Sequence, residues 1–178
     1  DAPDVEMRPY PGGAYLAVGA SLCGGAAFRY LAEHYQRAAK LLAGSDLMLS
    51  DVMSTLVELA AKAGDGGLTA DVRFMGTRSA PDLRGSLAGM GVDNNTPGHW
   101  AWAVMSGMVD ELLGYYRAMV GGRVRPRERC IGAGNGMRRN PVLRKLATDA
   151  TGMSIVTPSW QEEAACGAAL AAIWAPPL

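Results

Sequence analysis

The sequence contains little histidine and cysteine, and these residues are scattered. Its two histidines have no cysteine or carboxylate partner at metal-ligand spacing. The three cysteines, Cys23, Cys130 and Cys166, stand far apart in largely apolar surroundings, without the paired spacing of a zinc site or a redox dithiol. We therefore predict no metal site, and we expect the cysteines to be reduced core residues of a cytoplasmic protein.

Net charge is also lacking. Seventeen basic and seventeen acidic residues cancel, and no long basic run is present, which argues against a nucleic-acid partner and a polybasic membrane contact. No apolar stretch is long enough to cross a bilayer, and the opening Asp1-Ala2-Pro3-Asp4 is unlike a signal peptide. A small molecule is the expected partner, and the sequence leaves the oligomeric state open, a homo-oligomer included. Because the initiator methionine is missing, we expect a fragment of a longer protein.

What is present is a substantial apolar fraction, 49% of 178 residues, arranged as strands, glycine turns and helices. A strand is predicted over residues 15–20, followed by the turn at Gly24-Gly25. The next helix should end at Gly44, and its predicted buried positions step by three and four: Phe28, Leu31, Tyr35, Ala38 and Leu42.

The middle of the chain is predicted to hold a second helix, a strand and the longest helix. Ser50 is the expected N-cap of the second helix, which Gly64 ends, and residues 68–75 alternate like a strand. Residues 76–95 read as mostly irregular. Thr96-Pro97 begins the longest helix, in which Gly107 indicates close packing against another element. Its predicted apolar face comprises Ala101, Val104, Met105, Met108, Leu112, Tyr115 and Met119.

The last fifty residues repeat strand and helix, which predicts an α/β protein with a partly parallel sheet. The strands are expected over residues 127–131 and 153–157, separated by a helix that ends at Gly152. Ser159 with Glu162 predicts a capping box for the final helix. A single domain is the simplest interpretation, because no linker or repeat interrupts the chain.

The stretch of residues 130–141 combines alternate glycines with a helix start. Gly132, Gly134 and Gly136 let a ligand approach the backbone, while Asn140 as N-cap and Pro141 place free N–H groups nearby. Such a stretch can bind a nucleotide or a phosphate group. A plain turn that needs glycine only for its backbone dihedral angles has the same pattern. No Gly-Lys-Ser/Thr run exists, so a P-loop is excluded. The glycine spacing and the end of the next strand, Val156-Thr157-Pro158, disfavour a dinucleotide fold.

Four blocks in order resemble the FGGY carbohydrate kinases. They are Leu22 to Arg29 with its double glycine, Gly76-Thr77-Arg78 followed by proline and Asp82 to Gly85, Thr96-Pro97 leading into the long helix, and Gly132 to Pro141 with the later Glu162 to Ala172. Trp102 stands where that family usually has arginine. The Gly-Asn-Gly-Met-Arg-Arg-Asn-Pro form most resembles the sedoheptulokinase branch. Xylulose, ribulose, gluconate and glycerol kinases share the same nucleotide-side blocks.

The resemblance implies a ribonuclease-H-like fold of the actin and hexokinase ATPase type. Residues 1–178 would be part of the C-terminal nucleotide-binding domain, with ATP and Mg carried by the nucleotide as cofactors. The sugar-binding N-terminal domain and the catalytic aspartate would lie upstream, so no residue of this chain is assigned a catalytic role. The chain alone is expected to have no kinase activity.

The resemblance also implies the residues that bind the cofactor. Gly134, Asn135 and Gly136 would line the adenosine and the α-phosphate, and Asn140 would lie on the adenine side. The full implied set is Gly24, Gly25, Arg29, Gly132, Gly134, Asn135, Gly136 and Asn140. The two glycine turns are expected to face each other across one cleft.

Several of these residues also have a plainer interpretation. Arg29 is as readily an exposed helix arginine as a base contact, and Met137 fits ordinary core better than a cover for adenine. Arg138 and Arg139 fit a solvated face better than ATP attraction, and Glu162 with Glu163 fit helix-dipole stabilisation better than acid–base chemistry. For the whole protein, the alternatives to a sugar kinase are a non-catalytic ATP-sensing module of the same fold and a structural domain whose glycines serve only turns.

Overall fold

Six strands and six helices are present in a computed structural model that describes residues 4–121, 125, 127–160 and 162–174. The strands are β1 (Val5–Tyr10), β2 (Ala14–Gly19), β3 (Thr69–Asp71), β4 (Ser86–Ala88), β5 (Arg129–Ile131) and β6 (Ser154–Val156). The helices are α1 (Ala26–Ala43), α2 (Leu49–Ala63), α3 (Pro97–Gly121), α4 (Gly134–Arg139), α5 (Pro141–Thr151) and α6 (Glu163–Trp174). The predicted α/β class is confirmed.

The strands form three two-stranded sheets. β1 pairs with β2 and β3 with β4 in antiparallel ladders, whereas β5 pairs with β6 in parallel, with Cys130 opposite Ile155. A parallel pair needs a crossover connection, and here α4 and α5 provide it. The predicted partly parallel character is therefore confirmed.

The chain divides into two compact units. Unit 1 comprises Asp1–Ala20 and Leu113–Leu178, and unit 2 comprises Ser21–Leu112. Helix α3 contributes its first part to unit 2 and its last turns to unit 1.

Unit 2 buries the facing sides of α1, α2 and α3 together with β3. Gly107 of α3 lies so close to β3 that an added Cβ would stand 2.2 Å from the Ala70 carbonyl oxygen, which confirms the predicted close packing. Its core residues with exposure below one tenth are Cys23, Ala27, Phe28, Leu31, Ala32, Val52, Leu56, Ala60, Leu68, Val72, Ala101, Ala103, Val104, Met105 and Val109.

Two predicted core positions are wrong. Leu42 is 88% exposed because the buried residues of α1 all lie in its first half. Leu112 is 55% exposed because the buried face of α3 continues through Val109 and Leu113 instead. A helical pattern identifies the face, but only neighbouring elements decide where along the helix that face is covered.

Element boundaries also differ from the sequence predictions. The second helix begins at Leu49 after an extended Met48, so Ser50 is not its N-cap. The strand expected over residues 68–75 is shortened to β3, and its partner β4 lies in the region that was expected to be irregular. Gly44 and Gly152 both end their helices in the left-handed conformation, with φ of 64° and 67°, as predicted.

Unit 1 contains the β1–β2 hairpin, the parallel pair and helices α4 to α6. The hairpin lies against the end of α3, because a Cβ added to Gly19 would stand 2.4 Å from the Tyr115 Cβ. Leu113, Val142 and Leu143 are its buried apolar residues. Within the described ranges, every helix is too short or too polar to cross a bilayer.

Candidate functional site

The glycine stretch after β5 is the candidate site of unit 1, and its first glycine is needed for packing. Gly132 donates its N–H to the Val156 carbonyl oxygen at 2.9 Å, which continues the parallel ladder. An added Cβ would stand 2.9 Å from Ile155 Cγ2 and 3.0 Å from Met137 Cε. Any larger residue would have to displace these side chains, so Gly132 holds the turn close to β6.

The second glycine is needed for its backbone conformation. Gly134 has a φ of +86°, a region that side chains other than glycine rarely adopt, and it begins α4. The sequence indicated a glycine turn before the helix start at Asn140 and no helix there, whereas Gly134–Arg139 form the short helix α4. The residues after Gly134 form one short helix. At its end, the Asn140 N–H donates to the Gly136 carbonyl oxygen at 3.2 Å.

The third glycine has neither requirement within the described residues. Gly136 lies inside α4 without a positive φ and is exposed. An added Cβ would meet only Leu143 Cδ2, at 4.0 Å, which is ordinary contact distance. Asn135 beside it is exposed as well. The described residues therefore give no packing or backbone reason for glycine at position 136.

Asn140 is the N-cap of α5, as predicted. Its Oδ1 accepts the Leu143 N–H at 3.0 Å, and Pro141 occupies the first turn. The side chain is only 8% exposed. Its proposed position on the adenine side stays a prediction, and its role in orienting α5 is established by the cap.

Charged side chains hold the turn at both ends of α4. Arg138 forms an ion pair with Glu163 of α6, whose Oε1 also accepts the Gly134 N–H at 3.4 Å. At the other end, Arg144 Nη1 donates to the carbonyl oxygens of Met137 at 2.5 Å and Arg138 at 2.8 Å. Arg138 is therefore paired between helices instead of lying on the predicted solvated face. Tertiary pairing of this kind, like the contacts of Arg144, leaves no local pattern in the sequence.

Glu163 and Glu162 differ in role. The Arg138 guanidinium holds the pKa of Glu163 below its usual range, with backbone hydrogen bonding as a further cause. Glu162 is exposed and has a φ of +61°, so α6 begins only at Glu163. The predicted Ser159–Glu162 capping box is wrong, because the left-handed Glu162 redirects the chain immediately before the helix.

The second glycine turn, in unit 2, is organised around a hydroxyl. Ser21 Oγ accepts the N–H groups of Cys23 at 3.1 Å and Gly24 at 2.8 Å, and it donates to Glu111 Oε2 of α3 at 2.8 Å. Burial raises the pKa of the Cys23 thiol, and the nearby Glu111 carboxylate adds to the increase. Ser21 and Glu111 were not identified from sequence, since they are ninety residues apart.

Within this turn, Gly24 and Gly25 are again different from each other. Gly24 has a φ of +45°, whereas Gly25, the residue before α1, has an ordinary φ of −63°. Gly25 is exposed, and an added Cβ would meet nothing within 4 Å. Arg29, one turn into α1, is exposed and pairs with Glu33 at 2.8 Å. Its plainer interpretation as a helix-surface arginine accounts for this contact, and a base contact stays a prediction.

An open depression adjoins the strands that lead into the unit 1 turn. It has a volume of about 490 Å³ and is lined by Arg127, Glu128, Arg129, Ile131 and Val156. Ile131 is 70% exposed and Val156 50%. In the part of the chain that the structure describes, no three His, Cys, Asp or Glu side chains come together as a metal-binding group.

Comparison with known proteins assigns these turns to a family. Residues 2–176 match the model of the C-terminal domain of the FGGY family of carbohydrate kinases. The chain belongs to this family. It is also 30% identical over 149 residues to mouse (Mus musculus) sedoheptulokinase, a match that covers 81% of this chain and 30% of the relative.

Solved FGGY-type kinases share the fold. Xylulose kinase from Bifidobacterium adolescentis matches 96% of this chain and 31% of its own, with 25% identity and a TM-score of 0.67. Glycerol kinase from Plasmodium falciparum, solved with ADP, matches 90% of this chain and 29% of its own, with 19% identity and a TM-score of 0.64. The predicted fold, the C-terminal domain of the ribonuclease-H-like ATPase type, is thereby confirmed. The chain spans about a third of the length of each of these relatives.

The structure groups the residues that the resemblance implied. Gly132, Gly134, Asn135, Gly136 and Asn140 lie together around α4 in unit 1. Gly24, Gly25 and Arg29 lie together at the start of α1 in unit 2. The expectation that the two turns face each other stays a prediction.

Proposed function

We propose that this chain is the ATP-binding C-terminal part of a sugar kinase that transfers the γ-phosphate of ATP to a sugar hydroxyl. Its membership of the FGGY carbohydrate kinases supports the reaction class. The 30% identity with sedoheptulokinase favours a ketose such as sedoheptulose as the substrate.

The observation that carries the nucleotide assignment is a pair of glycines, one in each family turn, for which the described residues show no packing or backbone requirement. Gly114 shares this lack of requirement outside those turns, so the pair supports a ligand through its position in the two turns. Gly136 and Gly25 are exposed, have no positive φ and have room for a Cβ. A ligand that approaches the backbone is a physical reason for glycine at such positions, because a side chain would keep the ligand away. Each lies one or two residues after a second glycine, Gly24 before Gly25 and Gly134 before Gly136, whose positive φ shapes the turn.

The proposed roles divide between the two turns. Gly134, Asn135 and Gly136 line the adenosine and the α-phosphate, with Gly132 supporting the turn and Asn140 on the adenine side. Gly24, Gly25 and Arg29 form a second set of nucleotide contacts. Mg²⁺ arrives with the phosphates, since this ion prefers phosphate oxygens and water over a full set of protein ligands.

The chemistry of phosphoryl transfer explains how a binding module contributes to catalysis. The transferring group is stabilised mainly by positioning and by electrostatic contacts, while a base orients the attacking hydroxyl. This chain fixes the nucleoside end of ATP, and the base belongs to the rest of the enzyme. We therefore expect no sugar phosphorylation by residues 1–178 alone, and turnover of any sugar by this chain would contradict the proposal.

Calorimetric titration of the chain with Mg-ADP tests the nucleotide assignment. We expect saturable binding that Gly136→Val weakens at least about tenfold, or ~1.4 kcal/mol. Gly114→Val is the matched control, because Gly114 is also a helical glycine with nothing within 4 Å of an added Cβ. Equal losses in both variants, or no saturable binding by the unaltered chain, would overturn the proposal.

The substrate is tested with the full-length parent enzyme. Initial rates with sedoheptulose, xylulose, ribulose and gluconate at equal concentrations should rank sedoheptulose first. A higher kcat/KM for xylulose would assign the protein to the branch of the bacterial xylulose kinase that shares its fold.

A further inference from the structure

A charged pair in unit 1 joins the beginning of α6 to the glycine turn. Arg138 contacts Glu163 through both prongs of its guanidinium, Nη1 to Oε1 and Nη2 to Oε2 at 3.2 Å. Nη1 also donates to the Trp160 carbonyl oxygen at 2.9 Å. The side chains are only 22% and 21% exposed. A two-pronged pair that is largely shielded from water has a fixed geometry, unlike most surface ion pairs.

The same carboxylate reaches the backbone of the turn. Glu163 Oε1 lies 3.4 Å from the Gly134 nitrogen and accepts its N–H. An added Cβ at Gly134 would meet nothing within 4 Å, so packing does not confine this residue. Glycine adopts this positive φ without strain, and the Glu163 contact adds a polar contact at the first residue of α4. Arg144 supplies the others at the last turn of α4.

We propose that Arg138 and Glu163 form a latch that holds the Gly134–Gly136 turn in the geometry that binds the nucleotide. This inference rests on the proposed function and assigns both side chains as positioning residues. Arg138 fixes the carboxylate, and the carboxylate fixes the Gly134 N–H. Neither side chain is assigned a contact with the reacting phosphate.

A simpler role for Glu163 is to stabilise its own helix through the α6 dipole. That role requires no partner, so it predicts that changing Arg138 has no effect on the turn. The latch predicts instead that the two residues act as one unit, with non-additive effects in a double-mutant cycle. Their neighbours provide matched controls, because Glu162 and Arg139 are both exposed and carry the same charges one residue away.

The test measures two quantities on the 178-residue chain: the dissociation constant for Mg-ADP and the hydrogen-exchange rate of the Gly134 amide. We expect Glu163→Met, which removes the acceptor, and Arg138→Gln each to weaken ADP binding and speed Gly134 exchange, by about three- to fivefold. The double variant should be no worse than either single variant. Glu162→Met and Arg139→Gln should leave both quantities unchanged.

A charge reversal separates positioning from simple helix attachment. The double variant Arg138→Glu with Glu163→Arg can restore the ion pair, but an arginine at position 163 cannot accept the Gly134 N–H. Its melting temperature should return toward that of the unaltered chain while ADP affinity stays low. Restored affinity would overturn the latch, and so would an unchanged Gly134 exchange rate in Glu163→Met. If the unaltered chain does not bind ADP, the proposed function is overturned instead. The Gly134 exchange rates of the variants would then still show whether Arg138 and Glu163 hold the turn.

Discussion

The two glycine turns are held by different chemistry. The unit 2 turn depends on a neutral hydroxyl, because Ser21 accepts two backbone N–H groups and donates to Glu111. The unit 1 turn depends on an ion pair, because Glu163 accepts one N–H and is fixed by Arg138. Each turn nevertheless has one glycine of positive φ beside one that the chain itself does not require. We attribute the second glycine of each turn to the proposed ligand. The contacts that support the turn differ between the two units.

Removing the hydroxyl should have the largest effect on stability. Ser21→Ala leaves the Cys23 and Gly24 N–H groups without their acceptor and removes the donor to Glu111. An unsatisfied, partly buried polar group costs roughly 1–3 kcal/mol. We expect the free energy of unfolding, measured with urea, to fall by about that amount. Ser159→Ala at an exposed position is the control, and an equally small change in both variants would mean that the hydroxyl does not organise the unit 2 turn.

Removing the cap of α5, in unit 1, should have a smaller effect than removing the hydroxyl. Asn140→Ala eliminates the acceptor of the Leu143 N–H, and loss of such a cap costs about 1 kcal/mol. Urea unfolding of this variant should show that loss, whereas Asn135→Ala at an exposed position should not. Equal stability of the two variants would show that Asn140 does not anchor the helix that follows the turn.

The ion pair should make unit 1 sensitive to pH. The pKa of Glu163 is held below its ordinary value of about 4.3, so the pair contributes stability above that pH. This contribution disappears as the pH falls through the lowered pKa, because the protonated acid no longer pairs with Arg138. The difference in melting temperature between the unaltered chain and Glu163→Gln should therefore be present at pH 7 and shrink as the pH falls through the acid range below about 4. A difference that does not shrink over that range would contradict the ion-pair account.

The smallest effect on stability is expected at Gly136. Gly136→Ala places a methyl group in open space, so the free energy of unfolding should change by no more than about 0.5 kcal/mol, as at other surface positions. Gly134→Ala, by contrast, must accommodate a φ of +86° and should lose roughly 1–2 kcal/mol. If Gly136→Ala were as destabilising as Gly134→Ala in chemical unfolding, glycine at 136 would have a structural cause. It would then no longer indicate a bound ligand.

The sequence predicted local features well and contacts between elements poorly. Glycine at the helix ends, Asn140 before Pro141 and the tight packing at Gly107 were all predictable, because each follows from one residue and its neighbours. The family blocks then identified the turns. The links Ser21–Glu111 and Arg138–Glu163 were not predictable, because they join residues 90 and 25 positions apart. The short α4 was missed because three glycines within residues 132–136 are typical of a turn. Tertiary contacts from Arg144 and Glu163, which have no local pattern in the sequence, stabilise this helix.

Hydrogen exchange of the 178-residue chain with and without Mg-ADP tests the central claim most directly. If both glycine turns contact the nucleotide, peptides covering residues 21–29 and 132–140 should exchange more slowly in the presence of saturating ADP. Peptides from α2, which contains none of the proposed contacts, should be unaffected. Protection of neither turn by ADP, or protection confined to α2, would contradict the account.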